Sequence, residues 1–104
     1  MNEHYRQGDV CLIRVDALPD GAKKESTDES VVLAYGEVTG HSHRLMTKVN
    51  GLSMYAWKED KLVELREPGQ LVHEEHSTIA LKPGLYKVVI QREYTPERIR
   101  RVVD

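Results

Sequence analysis

Tight-turn signals divide this chain into short runs, and their spacing constrains the fold more than any other feature. Pro19-Asp20-Gly21, Asn50-Gly51, Pro68-Gly69 and Pro83-Gly84 all combine residues that favour β-turns. Short strand-forming runs bounded by such signals are typical of all-β proteins. The sequence therefore predicts a mainly β protein, a small antiparallel β-barrel or sandwich, with a single domain over residues 1–104.

Apolar and alternating runs between these turns predict the strands, at 10–15, 31–35, 41–48, 52–57, 61–66, 78–81 and 85–94. Asn50-Gly51 is a two-residue hairpin signal, so the strand at 52–57 is expected to pair back on the segment before it. Residues 23–30 are charged and lack periodicity, which predicts an exposed loop or, alternatively, a lid over a site. Thr95, Pro96 and Glu97 have the order of a helix N-terminus, which predicts one short C-terminal helix.

Composition excludes several classes of function. A formal net charge of −2 gives no global basic field for duplex nucleic acid. The single cysteine, Cys11, excludes an internal disulfide and a zinc–thiolate cluster, and its apolar neighbours predict burial. No apolar run approaches the roughly 18–20 residues of a membrane span, and the polar N-terminus lacks a signal-peptide core. We therefore expect a cytoplasmic protein without a membrane partner.

Four of the five histidines lie in two short clusters, and these are the main candidates for a functional site. His41 and His43 are separated by one residue, and His73 and His76 by two. Residues two apart on a strand share a face, so His41 and His43 should point the same way. Arg44 should then lie on the opposite face. Clustered imidazoles either bind a metal ion or transfer protons, and the sequence leaves both interpretations open.

A metal site is the first interpretation, because imidazole nitrogens bind zinc, nickel, iron and copper. The His-x-His pair, the chain length and the β content together resemble the metal-binding cupin barrels. The pattern departs from the cupin motifs in three ways. A cupin has an acidic residue where residues 46–48 are Met, Thr and Lys, and His73 lies one residue too far from Pro68-Gly69. Arg44 would also repel a cation.

The second interpretation, which we favour from the sequence, is acid–base cleavage of a phosphodiester without metal or cofactor. Histidine has an unperturbed pKa of about 6.5, so one imidazole can act as a base while another acts as an acid. The predicted catalytic residues are His41, His43, His73 and Arg44, the last as a donor to phosphate oxygens. Residues predicted to contact the substrate are Arg6, Gly40, His76, Lys87 and Gln91.

Four motifs also carry a resemblance: Tyr5-Arg6-Gln7-Gly8-Asp9-Val10, Gly36-Glu37-Val38-Thr39-Gly40-His41-Ser42-His43, His73-Glu74-Glu75-His76, and Pro83-Gly84-Leu85-Tyr86 with Gln91-Arg92-Glu93-Tyr94. They resemble a family of short proteins from bacteria, plasmids and phages, and the chain is similar to the small CRISPR-associated ring nucleases. That resemblance implies a homodimer that hydrolyses cyclic oligoadenylate or a short RNA-like ligand, countering type III CRISPR antiviral signalling. The expected route is attack by a 2′-hydroxyl, which gives 2′,3′-cyclic phosphate products. A repetitive ring suits a twofold dimer.

Overall fold

The computed structural model describes residues 4–35 and 41–90. As predicted, the fold is mainly β, and the described residues form two antiparallel sheets. The strands are β1 (His4–Gln7), β2 (Val10–Val15), β3 (Lys23–Asp28), β4 (Ser30–Tyr35), β5 (Ser42–Met46), β6 (Leu52–Trp57), β7 (Asp60–Leu65), β8 (Gly69–Val72), β9 (Ile79–Leu81) and β10 (Gly84–Ile90). The helix predicted after Thr95 lies outside the described residues. Among the described residues, no helix has the length and apolar character to cross a membrane.

The sheets differ in size, and both contribute to one hydrophobic core. The larger sheet has the order β1-β2-β10-β7-β6-β3, and the smaller has the order β4-β5-β8-β9. Leu12 and Tyr86 of the larger sheet are fully buried together with Leu45 and Leu71 of the smaller one. The Tyr5 ring packs edge-on against Tyr86, with ring centroids 6.0 Å apart. Burial of apolar surface between the two sheets thus packs the smaller sheet against the larger one around a shared core.

The loop predicted at residues 23–30 is wrong, because Lys23–Asp28 forms strand β3 at the edge of the larger sheet. It pairs antiparallel with β6, and the Thr27 and Ser53 hydroxyl oxygens lie 3.0 Å apart across this pair. Most of its side chains are exposed, so no apolar alternation marks the strand in the sequence. Charged side chains are common on edge strands because they prevent pairing with other chains.

The hairpin predicted at Asn50-Gly51 is also wrong, although the turn itself is present. β5 pairs with β4 and β8, whereas β6 pairs with β3 and β7, so the chain passes here from the smaller sheet to the larger. The Gly51 N–H donates to the Lys48 carbonyl at 2.8 Å, and the Gly51 carbonyl accepts from the Arg66 N–H at 2.8 Å. The turn residues therefore connect two sheets instead of two neighbouring strands.

Gly51→Ala is expected to destabilise the fold at the turn where the chain passes from the smaller sheet to the larger. A methyl group at Gly51 would lie 2.7 Å from Thr47 Oγ1 and 2.9 Å from the Lys48 carbonyl oxygen. Because a backbone atom is among the obstructing groups, relief requires the turn to shift, at a cost of about 1–3 kcal/mol. Urea unfolding measures the difference. An unchanged unfolding midpoint would contradict the close approach at this turn.

Candidate functional site

The register of β5 and β8 brings the two histidine clusters together. Arg44 pairs with Val72, the last residue of β8. Because the two strands are antiparallel, His43, just before Arg44, lies next to His73, just after Val72. On its other side, His43 is paired with Ala34 of β4, next to a register shift between Val32 and Ala34. Bulges of this kind re-aim side chains and are frequent beside functional sites. The smaller sheet thus presents histidines from two strands at one of its ends.

The four imidazoles form one cluster centred on His73. Its ring centroid lies 4.3 Å from that of His43, 4.6 Å from His76 and 5.5 Å from His41. The rings of His43 and His76 are nearly parallel, at 21°, with centroids 5.8 Å apart. His43 is buried and His76 is exposed, so the cluster runs from the protein interior to its surface.

Gln7 of β1 orients the buried ring. Its Nε2 donates to the carbonyl oxygens of Leu71, at 3.0 Å, and Ser77, at 2.9 Å. Both amide hydrogens are therefore used, which identifies Oε1 as the atom 2.9 Å from His43 Nδ1. Because Oε1 only accepts, His43 Nδ1 must carry the hydrogen. In the neutral ring, the lone pair then lies on Nε2.

His73 is held in the opposite way. The Glu75 backbone N–H donates to His73 Nδ1 at 3.0 Å, so this nitrogen is the acceptor. In the neutral ring the hydrogen is then on Nε2. The cluster therefore combines one ring whose Nε2 accepts with an adjacent ring whose Nε2 donates.

Two carboxylates from the turn after β8 border the cluster. Glu74 Oε1 accepts the Ser42 N–H at 2.9 Å. This bond is the largest of the causes that lower the pKa of the Glu74 carboxyl, followed by Glu74's own backbone N–H, with His41 and His73 acting in the same direction. Glu75 Oε1 lies 3.9 Å from His41 Nδ1, within range of an ion pair when that ring is protonated. The rim of the cluster is thus acidic.

Gly8, in the turn between β1 and β2, packs directly against the imidazoles. A methyl group at this position would lie 2.8 Å from His76 Nε2 and 3.3 Å from His43 Cε1. Its φ is +57°, in the left-handed region that glycine adopts without strain. The β1–β2 hairpin of the larger sheet therefore closes one side of a site whose histidines all come from the smaller sheet.

The other predicted site residues that the structure describes are Arg44, Arg6 and Lys87. They point away from the rings or bond to groups other than the histidines. Arg44 is exposed and alternates with His43 along β5, so its side chain leaves the opposite face. Arg6 Nε donates to the Gly8 carbonyl at 3.1 Å. Lys87 Nζ lies 3.6 Å from Asp60 Oδ2 on the larger sheet. Gly40 and Gln91 lie outside the described residues.

Gln7 was not predicted as a site residue from the sequence, and neither were Gly8, Glu74 and Glu75. A lone glutamine in a short polar strand matches no ligand spacing or catalytic pattern, and only its place in the Tyr5–Val10 motif singled it out. The chain elements that it connects are distant in sequence, by 36 residues to His43 and by 70 to Ser77. A contact of this kind becomes visible only once the two sheets are packed.

Comparison with known proteins identifies a family without assigning it an activity. A family model described as a domain of unknown function, DUF8820, matches residues 6–91. Neither the curated proteins nor the solved structures contain a match. The matched range contains all four clustered histidines as well as Gln7 and Gly8. Because the match covers most of the 104 residues, the chain belongs to the DUF8820 family.

Proposed function

We propose that the protein binds a divalent transition-metal ion through its four-histidine cluster, in the manner of a small cupin-like β protein. The observation that carries this proposal is the buried His43, whose Nδ1–H is bound by Gln7 while its ring contacts those of His73 and His76. Metal-binding histidines commonly donate their second ring N–H to a fixed acceptor, which sets the tautomer and the ring orientation.

The size of the cluster suits one ion. A zinc–imidazole bond of about 2.0–2.1 Å puts the ring centroids of tetrahedral neighbours about 5 Å apart. The four ring pairs in contact, three of which include His73, have centroid separations of 4.3 to 5.8 Å. Imidazole nitrogens suit zinc, copper, iron and nickel, so the proposal covers this class of ion.

Binding requires His73 to change its hydrogen bond. Among residues 4–35 and 41–90, no three His, Cys, Asp or Glu side chains have donor atoms already arranged around one ion. His73 Nδ1 accepts the Glu75 N–H, whereas a metal bound at Nε2 would move the neutral ring's hydrogen to Nδ1. That hydrogen would face the Glu75 N–H, so we expect the turn after β8 to rearrange on binding.

The electrostatics favour a cation over a phosphate. Glu74 and Glu75 border the rings, and the pKa of Glu74 is lowered, so the carboxylate is the favoured form. The arginine and lysine that would have clamped a phosphate, Arg44 and Lys87, lie on other faces or in other ion pairs. Negative charge beside the imidazoles stabilises a bound cation and opposes a polyanion.

Zinc titration of the metal-free, untagged protein tests the proposal. Isothermal titration calorimetry should give one ion per chain. His4→Ala is the matched control, because His4 is the exposed histidine outside the cluster. We expect this variant to bind zinc as the wild type does. The proposal would be contradicted if the wild type gave no saturable heat. It would also be contradicted if His4→Ala lost as much zinc affinity as variants with alanine at one of the four clustered histidines.

A second candidate is the metal-independent ring nuclease suggested by the sequence, acting as a cytoplasmic homodimer on cyclic oligoadenylate. One observation favours it: His43 and His73 have opposite tautomers, as an acceptor and a donor whose rings are 4.3 Å apart. Neutral His43 can take the proton of a 2′-hydroxyl at Nε2. His73 can protonate the leaving 5′-oxygen only as an imidazolium, so it would first bind a second proton at Nδ1 and give up the bond from the Glu75 N–H.

Incubation with cyclic tetra- and hexa-adenylate in EDTA tests this candidate. It predicts products with 2′,3′-cyclic phosphate ends and a rate reduced by at least about 10²-fold in His43→Ala, but not in His4→Ala. Intact substrate in EDTA with turnover after addition of zinc would remove the metal-independent route. No turnover in either condition would contradict nuclease activity.

A further inference from the structure

We propose that Gln7 is the positioning residue of this site: it sets the tautomer of His43 and thereby makes Nε2 the nitrogen offered to a ligand. The tautomer follows from the structure alone, and its consequence for metal rests on the proposed function. Gln7 is 3% exposed and His43 is 5% exposed, so water does not compete for their hydrogen bond.

The assignment depends on all three bonds of the Gln7 amide. If the amide were rotated by 180°, Oε1 would face the carbonyl oxygens of Leu71 and Ser77, both of which only accept. Nε2 would then donate to His43 Nδ1, and His43 would carry its hydrogen on Nε2 instead. Two repulsive contacts, one buried and one half-buried, would replace two hydrogen bonds, so the observed orientation is strongly preferred.

The same amide couples the two halves of the site. Leu71 lies in β8 and Ser77 in the turn that follows it, so the two bonds from Gln7 hold both ends of the segment that carries His73 and His76. Gln7 itself belongs to the larger sheet. It therefore fixes one histidine directly and limits the positions available to two others.

Two variants separate these roles. Gln7→Met removes the acceptor and both donors while preserving the side-chain length, and leaves the buried Nδ1–H of His43 without its acceptor. Gln7→Glu retains an oxygen acceptor for His43 but loses the two donors that hold the turn. We therefore expect Gln7→Met to disturb the tautomer and Gln7→Glu to preserve it. Both variants should be less stable than the wild type, because the bonds to Leu71 and Ser77 are lost.

Nitrogen-15 NMR of the histidine rings in the metal-free protein is the test, with His43 assigned by the signals missing from His43→Ala. The wild type and Gln7→Glu should show His43 protonated at Nδ1, and Gln7→Met should shift it toward Nε2–H. Zinc affinity should fall about 10–100-fold in Gln7→Met, the usual effect of losing an outer-shell partner, and by less in Gln7→Glu.

Other results would overturn the inference. If His43 of the wild type is protonated at Nε2, the inference is wrong. This result does not depend on whether either Gln7 variant folds. Gln7→Met with the wild-type tautomer and unchanged zinc affinity would also overturn the inference. A wild type that binds no zinc but has His43 protonated at Nδ1 contradicts the proposed metal function and supports the positioning role of Gln7.

Discussion

Replacing His43 with alanine is expected to remove most of the zinc affinity of the protein. His43 is the buried member of the cluster, and the Gln7 amide accepts its Nδ1–H, so in the neutral ring the lone pair for a metal ion lies on Nε2. Loss of a direct ligand should lower the zinc affinity by more than the roughly 10–100-fold that follows loss of an outer-shell partner. Competition with a chromophoric zinc chelator measures the affinity over this range.

Folding must be monitored in the same experiment. His43→Ala leaves Gln7 Oε1 buried without its donor, which costs about 1–3 kcal/mol of unfolding free energy. Urea unfolding without metal shows whether the variant is still folded at the temperature of the titration. A folded His43→Ala protein that binds zinc as tightly as His4→Ala would contradict a metal site at this cluster.

Gly8→Ala is expected to weaken zinc binding through crowding of the rings. The added methyl group would meet His76 Nε2 at 2.8 Å and His43 Cε1 at 3.3 Å. His76 is exposed and can swing away, whereas the buried His43 ring has little room, so relief of the contact moves His76 out of the cluster. The left-handed backbone at Gly8 adds a strain of about 1–2 kcal/mol.

Gly21→Ala separates this strain from the effect on the site. Gly21 also has a positive φ, of +91°, but a methyl group there would only meet the Trp57 indole at 3.8 Å. Both variants should therefore lose stability in urea unfolding, while only Gly8→Ala should lose zinc affinity. Equal zinc affinity in the two variants would contradict the close packing of Gly8 against the imidazoles.

The sheets were predictable where apolar runs and turn residues coincide. The strand predicted at 10–15 corresponds to β2, whose first half is buried, and the run at 52–57 corresponds to β6. β3 was not predictable, because its exposed charged residues carry no alternation. The pairing of β6 with β3 and β7, and not with β5, was not predictable either. Asn50-Gly51 specifies a tight turn, but whether the chain then returns to the same sheet depends on the packing of the whole core.

The candidate site was predictable in part for a similar reason. Histidine is rare and its clusters are conspicuous, so the sequence itself suggested that His43 and His73 act together. The predicted partnership with Arg44 conflicted with strand alternation, which already put its side chain on the other face. The role of Gln7 depends on a contact between sheets, and no local pattern records such a contact.

X-ray absorption at the zinc edge of the zinc-loaded protein tests the central claim most directly. The proposal predicts a first shell of nitrogen at about 2.0–2.1 Å, with the multiple-scattering features of at least three imidazole rings. Those features should weaken in His43→Ala and remain unchanged in His4→Ala. A zinc shell with one imidazole or none, or a protein that cannot be loaded with zinc, would contradict a metal centre at the histidine cluster.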